Sequence, residues 1–204
     1  MTLQTIDIPD EVRTLPHTPD AARLIDLANE RIESLMLADE SITENFIPCD
    51  FHLLDQSLTW IEENQLLKGC RFCELGSGLG AAALLASLRE MACVGIEIDS
   101  ALVDQANRFA GDLELSAKFY CGSFVPREIP ETVGLGRKVE IADPDVGDVY
   151  EKIGLEFGDF DLFFAFPWPG DLTFFEALFE ECASVNSMLL TYHGGNGMKL
   201  IRKS

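Results

Sequence analysis

The stretch Phe72-Cys73-Glu74-Leu75-Gly76-Ser77-Gly78-Leu79-Gly80 decides how this chain is read. Its first half belongs to a short apolar run over about 70–75, the length of a buried strand. Its second half is a glycine-rich turn. An alanine- and leucine-rich segment over about 80–90 follows and reads as a helix. A strand, a glycine turn and a helix form the setting in which backbone and a helix N-terminus approach a nucleotide-type ligand. Gly76, Gly78 and Ala81 also satisfy the loose dinucleotide fingerprint, so the loop alone leaves the ligand open.

Downstream the alternation continues. A strand over about 93–98 leads to a helix capped by Ser100 and closed by Gly111, and a third strand covers about 116–121. Residues 126–158 are polar and broken by Pro126, Pro130, Gly134, Gly136, Pro144 and Gly147. A connection this long inside a compact domain points to a functional insertion or lid. A very apolar strand, Asp161 to Phe166, precedes Pro167-Trp168-Pro169-Gly170, and Asp171 caps a helix to about 183. A strand over 187–193, the turn Gly194-Gly195-Asn196-Gly197 and a last strand, Met198 to Lys203, form a hairpin.

Upstream, residues 1–17 carry Pro9 and Pro16 without periodicity and read as an arm. Thr18-Pro19-Asp20 starts a helix on which Leu24, Leu27, Ala28, Ile32 and Leu35 recur. A second helix follows Asp50, with Phe51, Leu54, Leu58 and Ile61 on one side, and Gly69 ends it. The expected fold is therefore α/β: a Rossmann-like, doubly wound, mostly parallel sheet of about six strands. An antiparallel C-terminal hairpin strand forms one edge, since a four-residue link cannot make a parallel crossover. Two N-terminal helices precede the sheet. Residues 1–69 would be arm and helical cover, 70–204 the Rossmann-like core, and the whole one compact domain.

The chain of 204 residues is 47% hydrophobic and 25% charged, enough to bury a core without disulfides or metals. The 35 acidic against 15 basic residues give a formal net charge of -20. That field disfavours nucleic acid and anionic membrane, and no Lys/Arg cluster opposes it. No apolar run reaches the roughly 20 residues of a membrane span, and the N-terminus has no secretory pattern. The expectation is a cytoplasmic protein with its six cysteines reduced. Cys70 and Cys73 form a C-x-x-C, but three apart on a strand they face opposite sides, and no second pair follows. They read as buried structural cysteines, with no metal site.

Two carboxylates narrow the ligand. Glu74 stands two residues before the first glycine, where it would repel a pyrophosphate and favour a ligand bearing an ammonium and a sulfonium. Glu97, in Val94-Gly95-Ile96-Glu97-Ile98-Asp99, lies about 20 residues past the loop, where an acid accepts ribose hydroxyls. Asp99 could serve instead.

Glu74-x-Gly-x-Gly-x-Gly followed by Gly95-Ile96-Glu97-Ile98-Asp99 resembles the cofactor motifs of class I S-adenosylmethionine-dependent methyltransferases. The likeness in order and spacing runs from about residue 50 to the C-terminus. With Cys121-Gly122-Ser123-Phe124, Phe166 to Asp171 and Leu190-Thr191-Tyr192-His193-Gly194-Gly195, it is similar to a bacterial branch of that superfamily. The resemblance implies S-adenosyl-L-methionine as cofactor. Glu74 would orient Gly76, Ser77, Gly78 and Gly80 and the methionine amino group. Glu97 would hold the ribose, and Ile98 would pack on the adenine. Ser123 and Phe124 would meet the adenine edge, where the family usually has an acid. Pro167 would line the methyl-facing loop.

Enzymes of this superfamily that methylate base amines carry Asn or Asp, then Pro-Pro-aromatic, after the fourth strand. Here Phe166 stands at the polar position and cannot accept a hydrogen bond. A small-molecule or protein acceptor is therefore expected. Candidates for a base or an acceptor anchor are Asp50, Trp168, Asp171, Tyr192 and His193; Asp50 and Asp171 also suit helix N-caps, and Trp168 could stack on a flat substrate. His17 and His52 belong to no motif. Two rival readings stand beside this one. The chain could bind the cofactor without catalysis and act through a partner, or it could be a nicotinamide-dependent oxidoreductase, against which Glu74 argues.

Overall fold

The computed structural model describes residues 2–38, 49–127, 129, 148–168 and 170–204. Most of the expected insertion (128 and 130–147) and Pro169 lie outside the described residues. Seven strands form one sheet: β1 (Leu3–Ile6), β2 (Arg71–Leu75), β3 (Ala92–Glu97), β4 (Lys118–Cys121), β5 (Leu162–Ala165), β6 (Met188–Tyr192) and β7 (Met198–Lys203), in the order β1-β7-β6-β5-β2-β3-β4. Strands β2 to β6 are mutually parallel, and β7 is antiparallel to β6.

The expected edge is corrected here. β7 is internal, because Leu3–Ile6 pairs antiparallel along it, with Leu3 opposite Lys203 and Ile6 opposite Leu200. The arm thus supplies a seventh strand. The turn Gly194–Asn196 is one 3-10 turn, closed by the Gly197 N–H donating to the Gly194 carbonyl.

The helices are α1 (Pro19–Ala38), α2 (Phe51–Glu63), α3 (Ala81–Ser87), α4 (Ser100–Asp112), α5 (Val149–Ile153) and α6 (Leu172–Cys182). The Thr18 hydroxyl accepts from the Ala21 N–H, as its sequence signature implies. Two boundaries differ from expectation. α2 stops at Glu63, where Asn64 folds its amide back and Gln65 turns left-handed; Gly69 instead packs against Asp161 at the foot of β2. α4 is capped by Asp99, which accepts from the Ala101 N–H, not by Ser100.

Side-chain alternation divides the core. Phe72, Phe164, Leu190 and Leu200 face α1 to α4, while Cys73, Leu75, Phe163, Leu189 and Ile201 face α5 and α6. Both faces of β5 are covered, which is why Leu162–Ala165 is continuously apolar. The N-terminal helices belong to this core: Leu24, Ile25, Leu54 and Leu58 are almost wholly buried. The end of the 126–158 segment does too, since Val149, Tyr150 and Phe157 are buried and the Tyr150 hydroxyl donates to the Phe124 carbonyl.

Distant polar residues tie these layers together. Asp55 on α2 is 1% exposed and accepts from Arg89 and His17, and His17 also meets His52. Gln56 donates to the Arg13 and Leu15 carbonyls, fastening the arm to α2. Lys203 is buried, with its ammonium on the Glu181 and Ala183 carbonyls at the end of α6, where a cation meets the negative end of the helix.

Candidate cofactor site

The glycine loop leaves β2 at Leu75 and enters α3 at Ala81. The Gly76 and Ser77 N–H groups both donate to the Ile96 carbonyl, which bends the chain back over β3. Gly80 is required twice over. Its φ of +77° is left-handed, and a Cβ there would collide with the Phe119 ring. The turn holds the first amides of α3 above the carboxyl ends of the parallel strands, where ligands of such sheets bind.

A cavity of about 310 Å³ opens at this point. Glu74, Gly76, Ser77, Gly78, Leu79 and Ala81 form its floor, Asp99 and Leu102 one side, and Phe164 and Phe166 another. Ile32, Leu35 and Met36 of α1, with Cys49 and Phe51, close it. A larger hollow of about 810 Å³ lies elsewhere, between α5 and the 3-10 turn Phe157–Asp159, and carries Asp148, Glu151, Glu156 and Asp159. It contains none of the loop glycines, so the smaller cavity is the one the chemistry indicates.

Glu74 is 6% exposed. Its Oε2 accepts from the Ala83 N–H at 2.8 Å, so the carboxyl reaches under the loop to the first turn of α3. Burial pushes its pKa up from 4.5 to about 8; the Ala83 and Ala82 amides oppose that shift and the Glu97 charge adds to it. Ser77 is 5% exposed, and its hydroxyl has no hydrogen-bond partner among the described residues. Its side chain packs against Gly95 of β3, where an added Cβ would come within 2.8 Å of it.

Glu97 sits at the end of β3 and is held by backbone. Oε2 accepts from the Gly78 N–H at 2.9 Å, and Oε1 accepts from the Ile98 and Asp99 N–H groups at 2.7 and 3.1 Å. Ile98 is 38% exposed, an apolar side chain on the open side of that strand end. The Ser123 hydroxyl accepts from the Val125 N–H, and Phe124 is buried, stacked on Phe175 with ring centroids 5.5 Å apart. Of the predicted cofactor residues, Glu74, Gly76, Ser77 and Gly78 line the cavity, and Gly80, Glu97, Ile98, Ser123, Phe124 and Pro167 do not.

The acceptor-side candidates divide between the sheet faces. Tyr192 lies on the cavity face, edge-on to Phe166 at 5.1 Å. Its hydroxyl pKa is raised, by burial first and then by Asp50 and Cys49, while the Asp50 amide and Arg13 oppose. Asp50 caps α2, accepting from the Leu53 N–H at 2.9 Å, and lies 3.7 Å from Arg13. His193 projects from the opposite face, hydrogen-bonded to Thr191 at 2.7 Å. Burial and then Lys199 lower its pKa, against Glu176. Asp171 is buried at the start of α6 without capping it through its side chain, Pro167 is buried, and Trp168 is 54% exposed. Of the two C-x-x-C cysteines, Cys73 is in the core but Cys70 is exposed, a correction explained by its place before the first strand residue, Arg71. No group of three or more potential metal ligands occurs among the described residues. None of their helices is long and apolar enough to cross a membrane.

No family model matches the sequence, and no curated protein matches it. Solved structures do resemble the fold. An RNA methyltransferase from Salinibacter ruber, determined with S-adenosyl-L-homocysteine, superposes with a TM-score of 0.50 at 16% identity, over 77% of this chain and 92% of that one. A methyltransferase from Geobacter sulfurreducens superposes with a TM-score of 0.52 at 16% identity, over 93% of both chains. The chain has the Rossmann-like methyltransferase fold. In this methyltransferase fold Ile32, Leu35, Met36, Cys49 and Phe51 close the cavity, and the sequence reading gave none of them a site role. The helical spacing of Ile32, Leu35 and Met36 was the available signal, but the same spacing serves any core-facing helix.

Proposed function

We propose that this chain is an S-adenosylmethionine-dependent methyltransferase acting on a small molecule or a protein. The observation that carries the reading is the pairing of Glu74 and Ser77 in the wall of one cavity: a buried carboxyl, and a buried hydroxyl without a partner among the described residues, both beside the glycine loop. The pyrophosphate of a nicotinamide dinucleotide would leave the Glu74 carboxyl protonated and gain no ion pair there, whereas a ligand with an ammonium and a sulfonium gains from its charged form.

The residues present fit that ligand. Glu74 would receive the ammonium and Ser77 would hydrogen-bond the same end. Glu97 would accept ribose hydroxyls. A carboxylate has roughly four acceptor positions, and three backbone amides already occupy Glu97. Holding both hydroxyls therefore frees the Gly78 N–H toward the ligand. S-adenosylmethionine supplies a methyl group on a sulfonium, open to in-line attack. Phe51, Phe164 and Phe166 exclude water, and Tyr192 beside Phe166 offers a hydroxyl donor to the acceptor. Cys49, Glu74 and Asp99 are the titratable groups in the described cavity wall, and Asp99 is already a helix cap. With the described residues alone, the chemistry rests on alignment and an acceptor that arrives nucleophilic.

Phe166 favours a second reading, in which the chain binds the cofactor and acts through a partner. It presents a hydrocarbon edge where base-amine methyltransferases present a hydrogen-bond acceptor.

Thermal unfolding with S-adenosylmethionine, S-adenosylhomocysteine and NAD tests the cofactor. At about a hundredfold excess over Kd, binding adds about 2.7 kcal/mol, a rise of roughly 5–10 °C in Tm. A rise with both adenosyl ligands and not with NAD, reduced in Glu97→Ala, is expected. A rise with NAD alone overturns the reading. Methyl transfer to any acceptor removes the non-catalytic alternative.

A further inference from the structure

We propose that cofactor binding to this chain is proton-coupled: Glu74 holds a proton in the free protein and releases it to solvent when the cationic end of the cofactor enters. The inference rests on the cofactor reading above and adds a pH dependence that the reading does not contain.

Glu74 is 6% exposed, and a bare carboxylate in that setting requires a nearby cation or several donors. The donors at hand are the amides of Ala83 and Ala82 on α3. No cation pairs with Glu74 among the described residues. Segment 39–48, which leads into Cys49, contains no Lys, Arg or His. The titratable groups that face it from the packed elements are Cys93 and Glu97 on β3 and Cys49 before α2, while Cys73, next to it on β2, points to the other sheet face. Asp99 shares the cavity wall. Each of these is neutral or acidic. The rest of the cavity wall is mostly hydrocarbon, including Ile32, Leu35, Met36 and Phe164.

Among the described residues a proton is thus the available counter-charge, in keeping with the upward shift to about 8. A ligand ammonium at the same place replaces it. The carboxyl O–H bond breaks, the proton goes to solvent, and no bond of the cofactor changes. The neighbouring Ser77, which lines the same cavity, carries a buried hydroxyl with no hydrogen-bond partner among the described residues.

Isothermal titration of the protein with S-adenosylmethionine in two buffers of different ionisation enthalpy counts the proton. At about pH 6.5 an amino group of ordinary pKa is still charged, so release reports the protein alone. About one proton leaves per cofactor bound, and affinity rises about tenfold per pH unit between roughly 5.5 and 6.5. Glu74→Gln releases none, and its affinity is flat over that range. Binding by wild type without proton release overturns the inference while leaving the cofactor reading standing, as does equal release by the variant. The pH slope of wild type decides the matter even if the variant fails to fold. Absence of binding by folded wild type overturns the cofactor reading itself, and this inference with it.

Discussion

Replacing Glu74 with Gln should change the pH dependence of folding, apart from any ligand. In the unfolded chain this carboxyl loses its proton near 4.5, and in the folded chain near 8. Between those values the native state holds the extra proton, so stability falls as pH rises, by about 1.4 kcal/mol per unit. The contribution is fully present below the unfolded value and lost by the folded one, roughly 5 kcal/mol across the window. That is a large share of the 5–15 kcal/mol that typical domains possess. Gln carries no such proton and keeps an acceptor for the Ala83 N–H. The variant and wild type should therefore be nearly equal near pH 4, and the variant should be more stable by several kcal/mol above pH 8. Urea unfolding of both proteins across this range measures it, and the comparison cancels every other titrating group. A stability difference that stays constant with pH would refute the reasoning.

Other parts of the structure give independent tests. Asp55→Ala removes the acid that accepts from Arg89 and His17, and should cost about 3–5 kcal/mol in chemical denaturation, the usual loss when one partner of a buried ion pair is deleted. Gly80→Ala adds a methyl group against the Phe119 ring at a left-handed residue; it should lose more than about 2 kcal/mol of stability and weaken S-adenosylmethionine binding. Lys203→Met leaves the Glu181 and Ala183 carbonyls without their donor and should cost about 1–3 kcal/mol, read by thermal unfolding. Under a disulfide reagent, Cys70 should react first and Cys73 and Cys93 only on unfolding; Cys70→Ser should abolish the fast phase.

The legible parts of the fold were those with local signals. The strand ending at Leu75, the glycines, the helix after them and the hydrophobic β5 each announce themselves within a few residues. Asp50 as a cap is likewise local. β1 was hidden because a four-residue strand has too little alternation to stand out, and its partner lies at the other end of the chain. α5 is five residues long and sits in a segment dominated by turn formers. The Asp55–Arg89–His17 network joins residues more than 30 apart, and no spacing rule connects them. For the site, Glu74 and Glu97 were legible as acids in the right places. Their surroundings were not: that Glu74 is buried under α3 and that Glu97 is held by three amides follow only from the packed loop. The face on which Tyr192 and His193 project depends on strand register. That register puts Tyr192 beside Phe166 and turns His193 toward Lys199 and Glu176.

The central claim is that the cavity beneath Gly76–Gly80 is a cofactor site floored by Glu74 and Ser77. A crystal structure of the protein with S-adenosylhomocysteine tests it most directly. The amino end should lie within hydrogen-bond reach of Glu74, the ribose on Glu97, and the Gly78 N–H should turn from Glu97 toward the ligand. Ligand seated in the acidic hollow beside Asp148 and Asp159, or none bound at saturating concentration, would contradict it.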